Sequence, residues 1–581
     1  MRLLSGLLLC TLTALAADRP NILFILTDDQ GYGDIGAHGN PILKTPNLDK
    51  LRSESVRFTD FQVSPTCAPT RSALLTGRHE FKNGVTHTIL ERERMALGAA
   101  TLTEQLQKAG YRTGIFGKWH LGDEAEYQPN KRGFDEVFIH GAGGIGQSYP
   151  GSCGDVPGNS YYGPTILHNG KFVKTAGYCT DEFFAQATKW IEGEAAAKRP
   201  FYAYIATNAP HGPYHARPED AALYEGKGLG KDTENFFGML HNIDQNVGKI
   251  LAKLEALGIA KDTLIVFMND NGGTAGVKVF NAGMRAQKGT PYMGGIRAIS
   301  FWRLPGRFQP MDVKALSAHV DFSPTILELT GTPASATMKS QLEGRSLLPL
   351  LTAKAGQDVA WADRTLITHV GRWGNMVKGV DPEVGKFSQT SVRTARWHLV
   401  SASPIPQSGQ KAGGKKAKNV KAAAPAPQSP AEIKQAPANW QLFDLSVDYG
   451  EITDVAAQHP EVVADLIARH DAWWKECRPL MVNENVAGPA ENPFKERLIL
   501  ILKICAHLAT VLVLVTMGLQ YWSGEPLTLI GTQIFCLGQL GLIDEMARPH
   551  GSYRYLRLIP SALMMLLGGI YQAFVTFNPL P

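Results

Sequence analysis

Two oxygen-rich pairs mark the 581-residue chain: Asp28–Asp29 in "NILFILTDDQ" and Asp270–Asn271 in "DTLIVFMNDNGG". Adjacent carboxylates at a strand end repel each other and ionise reluctantly unless something cationic lies between them. A single acidic pair is more often a turn or a helix cap. Two such pairs, each closing an apolar run, favour a divalent cation. An all-oxygen set suits Ca²⁺, with Mg²⁺ second, better than zinc, which favours His and Cys. Three further side chains follow strand-like runs, Lys118 and His120 in "GKWHLG" and His211 in "NAPHGP", and Lys288 stands in "QKGTPYMGG". Singly, each reads as a solvated charge or a loop imidazole. Together with Arg71 they would enclose a compact oxyanion and stabilise charge developing on a leaving oxygen. The chemistry implied is cleavage of a sulfate or phosphate ester.

Cys67 stands alone in "SPTCAPTRSALLTGRH", with no second thiol or histidine at zinc spacing. A small buried hydrophobe is the usual fate of a free cysteine. A thiolate activated at a helix N-terminus is the other ordinary reading. Neither accounts for Pro69 and Arg71 beside it.

The elements that must position these residues follow from apolar runs alternating with helical patterns over about residues 18–350, the mark of an α/β sandwich. "NILFILTDD", "FYAYIATNAPH" and "DTLIVFMNDNGG" read as strands. "TLTEQLQKAGYRTGIFGKWH" reads as a helix, a stop at Gly110, then a strand. Each polar cluster follows the carboxyl end of a strand, the edge where open α/β sheets bind ligands. A small second sheet with a helix is expected from "SVRTARWHLV", "WQLFDLSVDYGEITDVA" and "HPEVVADLIARHDAWWKE".

"CAPTR" meets a C-x-P-x-R pattern, and "CAPTRSALLTGRH" extends it. This stretch resembles the signature of the type I sulfatases, of the alkaline-phosphatase-like superfamily. The resemblance continues through "PNILFILTDDQGYGDIG", "TLTEQLQKAGYRTGIFGKWHLG", "PHGP", "NDNGG", "KGTPYMGGIRA" and "DFSPTILELTG", in family order, over roughly residues 19–492. It implies a large mixed, mostly parallel central sheet flanked by helices, with a smaller C-terminal α+β domain. It also implies that a formylglycine-generating maturation enzyme oxidises Cys67 to Cα-formylglycine. The aldehyde hydrate would carry two hydroxyls on one carbon, one to attack sulfur and one to expel sulfate by C–O cleavage. Asp28, Asp29, Asp270 and Asn271 would hold Ca²⁺ together with the modified Cys67. Arg71 would hold the hydrate and its loop, and Lys118 and Lys288 the sulfate oxygens. His211 would protonate the leaving oxygen, and His120 would take a proton from the diol. "GFDEVFIHGAGGIGQSYPG" departs from the family spacing, which leaves Ser148 a weak candidate for a further contact.

The remaining expectations concern location and boundaries. Residues 1–17, with Arg2, an apolar run and Ala14-x-Ala16, read as a secretory signal peptide, so the body would be exported to the periplasm or outside the cell. Export permits disulfides, and Cys153 with Cys179 is one open pairing. The catalytic domain would span 18–364 and the small-sheet subdomain 365–495. That subdomain would carry a flexible Lys/Ala/Pro insertion at 403–438. Residues 496–581 form an apolar helical tail that reads as a membrane anchor of one to three spans, or as a buried hairpin. The net charge of +5 is small and partly confined to the lysine-rich insertion, which argues against a nucleic-acid surface. A phosphonate or phosphate ester hydrolase of the same superfamily is the nearest alternative function. A non-catalytic, membrane-anchored binding protein is the alternative of another class. A sulfated small molecule or carbohydrate is the expected substrate.

Overall fold

Asn21–Thr27, "NILFILT", forms a strand whose last six residues are all buried. A run that is apolar on both faces belongs in the middle of a parallel sheet covered on both sides. It pairs in parallel with Phe201–Ala206 on one side and Thr263–Asn269 on the other. The structure, a computed structural model, describes residues 19–146, 155–156, 158–374, 377, 379–405, 433–434, 437–486 and 522. The chain divides into two units, Met1–Ala490 and Glu491–Pro581, and the elements below belong to the first.

Ten strands make the main sheet, in the order Met311–Val313, Val56–Phe58, Ser300–Arg303, Thr263–Asn269, Asn21–Thr27, Phe201–Ala206, Arg112–Lys118, Glu136–His140, Thr165–His168 and Lys171–Lys174. The five strands from Thr263–Asn269 to Glu136–His140 run parallel, and antiparallel pairs flank them on both sides. Alternate side chains of Asn21–Thr27 feed two cores. Leu23 and Ile25 join Phe236, Leu240, Ile243 and Val247 of the helix Lys231–Ala256. Ile22, Phe24 and Leu26 join Leu74 and Leu75 of the helix Cys67–Thr76 and Phe322 and Ile326 of Phe322–Leu329. The expected large, mostly parallel sheet is therefore present.

The helix, stop and strand expected around Gly110 are present. Thr101 and Glu104 close a reciprocal capping box on the helix Leu102–Lys108. Gly110, at φ 88°, turns the chain into the strand Arg112–Lys118. The second sheet is antiparallel, in the order Leu366–His369, Thr390–Arg393, Trp397–Ser401 and Trp440–Asp444. The helix Pro460–Cys477 packs on it through Leu466, against Val392, Leu399 and Leu442. The last two strands are joined through the expected insertion. Where the insertion leaves and rejoins, Ser403 Oγ donates to Pro437 O at 2.6 Å and accepts from Asn439 N at 3.1 Å.

Cys179 opens the helix Cys179–Ala196 as a buried free thiol, 3.5 Å from Asn208 Oδ1. Its suggested partner Cys153 lies outside the described residues. So do the signal segment 1–17, Ser148, most of the insertion and all of the tail except Trp522. Among the described residues no helix is long and apolar enough to cross a membrane.

Candidate active site

Four neighbouring parallel strands deliver the polar clusters to one sheet edge. Thr27 pairs with Asn269, and Asp270 N donates to Thr27 O at 3.0 Å, so the two oxygen-rich pairs leave the sheet side by side. Asp28, Asp270 and Asn271 are fully buried, and Asp29 is 3% exposed. Asp29 sits at φ 67°, a left-handed conformation that a non-glycine residue adopts at a cost. Its main-chain N–H lies 3.4 Å from Asp270 Oδ1, and Asn271 Nδ2 donates to Asp29 Oδ1 at 2.9 Å. The turn after Asn271 requires glycine, since a Cβ on Gly272 would stand 2.0 Å from Gly294 O.

Cys67 begins its helix after the extended residue Thr66. Pro69 falls in the first turn, where a missing N–H costs nothing. Thr70 Oγ1 accepts from Ser64 N at 3.0 Å and closes the approach to the helix. At the other end Gly77, at φ 69°, donates to Ala73 O. Every residue of the helix is buried. Ligand atoms of Cys67, Asp28 and Asp270 all lie within 4.8 Å of one another, as do those of Asp28, Asp29 and His211.

The cations close around this cluster. Arg71 donates to Asp270 Oδ2 from Nη2 at 2.7 Å and Nε at 3.1 Å, and to Lys118 O from Nη1 at 3.2 Å. Lys118 Nζ donates to Asp28 Oδ2 at 2.5 Å, and Lys288 Nζ pairs with Asp29 Oδ1. Burial alone would raise the Asp28 carboxyl, but the Lys118 ammonium reverses this and holds it well below the usual range. Burial and the Asp28 charge push Asp270 up, against the pull of Arg71. Burial would raise the Cys67 thiol as well, yet Lys118 and Lys288 bring it below its ordinary value.

The two histidines differ in their fixed proton. His211 Nδ1 donates to Gly212 O at 2.7 Å and leaves Nε2 3.8 Å from Asp29 Oδ2. A proton can therefore leave from Nε2 only when the ring is an imidazolium. His120, at φ 61°, is 1% exposed and places Nε2 2.9 Å from Thr88 O.

All the sequence-derived candidates other than Ser148 therefore meet at one edge. Reading the sequence missed their supports. Tyr161 Oη lies 2.8 Å from Asn208 O and 2.6 Å from His211 O. Tyr178 and Tyr162 donate to His215 O at 2.9 Å and Ala216 O at 2.6 Å. Three tyrosines thus fasten the His211 loop, and the only signal in the sequence was their density in 161–178.

A family model described as Sulfatase matches residues 20–332, more than half of the chain. The chain belongs to the sulfatase family. Membership makes it an enzyme of the sulfuric ester hydrolase class. Arylsulfatase J of Mus musculus is 28% identical over 504 residues, covering 82% of this chain and 79% of the relative. N-acetylgalactosamine-6-sulfatase of Canis lupus familiaris is 34% identical over 371 residues, 58% of this chain and 66% of the relative. Among solved structures, Ps i-CgsB superposes with a TM-score of 0.63 at 27% identity, over 78% of this chain and 92% of that one.

Proposed function

We propose that this sulfatase hydrolyses the sulfate ester of a carbohydrate, with Cys67 as the precursor of a Cα-formylglycine and Ca²⁺ held by Asp28, Asp29, Asp270 and Asn271. The observation that carries the reading is the gathering of the Cys67 sulfur with Asp28 and Asp270 oxygens inside 4.8 Å, under two lysines. The donor set fits a hard cation. Asp28 Oδ1 and Asn271 Oδ1 are buried without a protein partner, both are oxygens, and two carboxylates buried together need positive charge. When present, the ion would lower the proton affinity of an attacking oxygen and orient the ester, and the oxidised residue 67 would supply that oxygen.

The chain's own residues do the rest. Lys118 and Lys288 bind sulfate oxygens and balance the acids. Arg71 fixes Asp270 and, through Lys118 O, the end of the strand Arg112–Lys118. His211 gives the Nε2 proton to the leaving alcohol oxygen, and His120 receives a proton at Nδ1. Burial of the set keeps water from weakening these charges.

The names of two similar proteins support a carbohydrate substrate. Ps i-CgsB has been solved in complex with k-i-k-neocarrahexaose, and one relative is an N-acetylgalactosamine-6-sulfatase. The same reading takes 1–17 as a signal for export, 18–364 as the catalytic domain, 365–495 as the small-sheet subdomain and 496–581 as a membrane-associated tail. The test pairs mass spectrometry of the Cys67 peptide, from cells with maturation activity, with turnover of aryl sulfate and aryl phosphate. Expected are a formylglycine at residue 67, preference for sulfate, and loss of turnover in Cys67→Ala on the order of 10⁶-fold. An unmodified thiol in an active enzyme, or unchanged hydrolysis by Cys67→Ala, would end the proposal.

A further inference from the structure

His120 carries an asymmetry that the ester-cleaving set does not explain. Its Nε2 faces two acceptors, Thr88 O at 2.9 Å and Glu93 Oε2 at 3.2 Å. The Thr88 carbonyl can only accept, so the ring proton sits on Nε2. Nδ1 is buried and has no hydrogen-bond partner. The imidazole is thus held with its lone pair on Nδ1, on the opposite side of the ring from the carboxylate. Glu93 is itself 5% exposed and belongs to the turn Leu90–Glu93 of "TILERERMALG", a charged run that reads from sequence as a solvated surface.

We infer that Glu93 is a positioning residue for His120: its carboxylate fixes the Nε2–H form and stabilises the imidazolium that forms when Nδ1 takes up a proton. This deepens the proposed function and rests on it for the identity of the proton donor. The arrangement is that of a carboxylate behind a histidine base, in which the acid orients and steadies the ring without touching the substrate. The surroundings make such a partner necessary. Burial and the Lys118 ammonium both lower the proton affinity of His120, and Glu93 with Thr88 O opposes them. Burial keeps the Glu93 carboxyl high, at about 7, against the pull of His120 and with a push from Asp123 and Cys67. His87 and His140 also face the ring, and burial holds both well below the usual histidine range. Glu93 Oε2 is in ion-pair contact with His120 Nε2.

The test uses the full chain with selectively ¹⁵N-labelled histidine, the His120 signals being assigned with His120→Gln. Titration by NMR requires neither oxidation of Cys67 nor turnover. In the wild type His120 is expected as the Nε2–H form. In Glu93→Gln, which keeps an acceptor but removes the charge, the midpoint of His120 protonation should fall by about one pH unit or more. Steady-state kinetics on the matured, calcium-loaded enzyme form the second arm. Glu93→Gln should lower kcat by about 10- to 100-fold with KM nearly unchanged. The double variant Glu93→Gln/His120→Gln should be no slower than His120→Gln alone. An unchanged His120 midpoint overturns the inference, as do multiplying defects in the double variant. A wild type carrying formylglycine and calcium without sulfate-ester turnover would instead overturn the proposed function, and the NMR arm would still judge Glu93.

Discussion

Asp28 and Asp321 are both fully buried aspartates, and they are used in opposite ways. Asp321 Oδ1 accepts from Arg345 N at 2.7 Å and Arg364 Nη1 at 2.8 Å. Its Oδ2 accepts from Ala318 N at 2.8 Å and Arg364 Nη1 at 2.7 Å. Both oxygens are committed to groups that never leave. Asp28 has one oxygen on Lys118 and the other on nothing in the protein. A buried acceptor left open costs stability and is retained where something else is to occupy it. The same contrast separates the two regions as a whole. The turn around Asp321 ties the catalytic body to the segment that leads into the small sheet. The edge around Asp28 keeps oxygens and ring nitrogens in reserve.

Substitutions at the two aspartates test this contrast. Asp28→Asn should lower kcat/KM on the order of 10³-fold or more, because the site loses a charge aimed at the reaction. Compared without divalent ions, its thermal midpoint should hold, because loss of the Asp28 charge lets Asp270, which that charge pushes up, ionise in its place near Lys118. Asp321→Asn should do the reverse, costing about 3 kcal/mol in denaturant unfolding, as a partly buried Arg364 loses its counter-charge. Activity per folded molecule should stay at the wild-type level. If Asp28→Asn unfolds the chain while Asp321→Asn abolishes turnover, the division of labour drawn here is wrong. Removal of divalent ions tests the open oxygens directly. A chelator should lower the melting temperature, and Ca²⁺ at a hundredfold excess over its Kd should restore about 2.7 kcal/mol. Identical melts with and without the ion would mean that no cation occupies the site. The smallest effect belongs to a local signal far from either aspartate: Thr101→Ala opens the capping box at about 1 kcal/mol, with turnover unaltered.

Legibility from sequence followed the range of the signal. The ends of the central strands could be read because each acid or lysine directly continues an apolar run, as Asp28 continues "NILFILT". The helix that stops at Gly110 and the strand after it are likewise set by a few adjacent residues. Glu93 could not be read, because its partner His120 is brought to it by the fold, and "ERER" is what an exposed helix face also looks like. Asp321 lay inside a recognised motif, "DFSPTILELTG", yet its donors at 345 and 364 follow it by more than twenty residues. The tyrosine fastenings at 161, 162 and 178 depend on a loop whose course the sequence does not encode locally.

The parallel pairing of Asn21–Thr27 with Thr263–Asn269 has a consequence in time. Asp29 and Asp270 stand 241 positions apart, so a growing chain carries half of the proposed cation cage long before the other half exists. Until the later strand docks beside the first, the early acids have only Lys118 and their neighbours to neutralise them, and on the proposed reading uptake of the ion would report that the central sheet has closed.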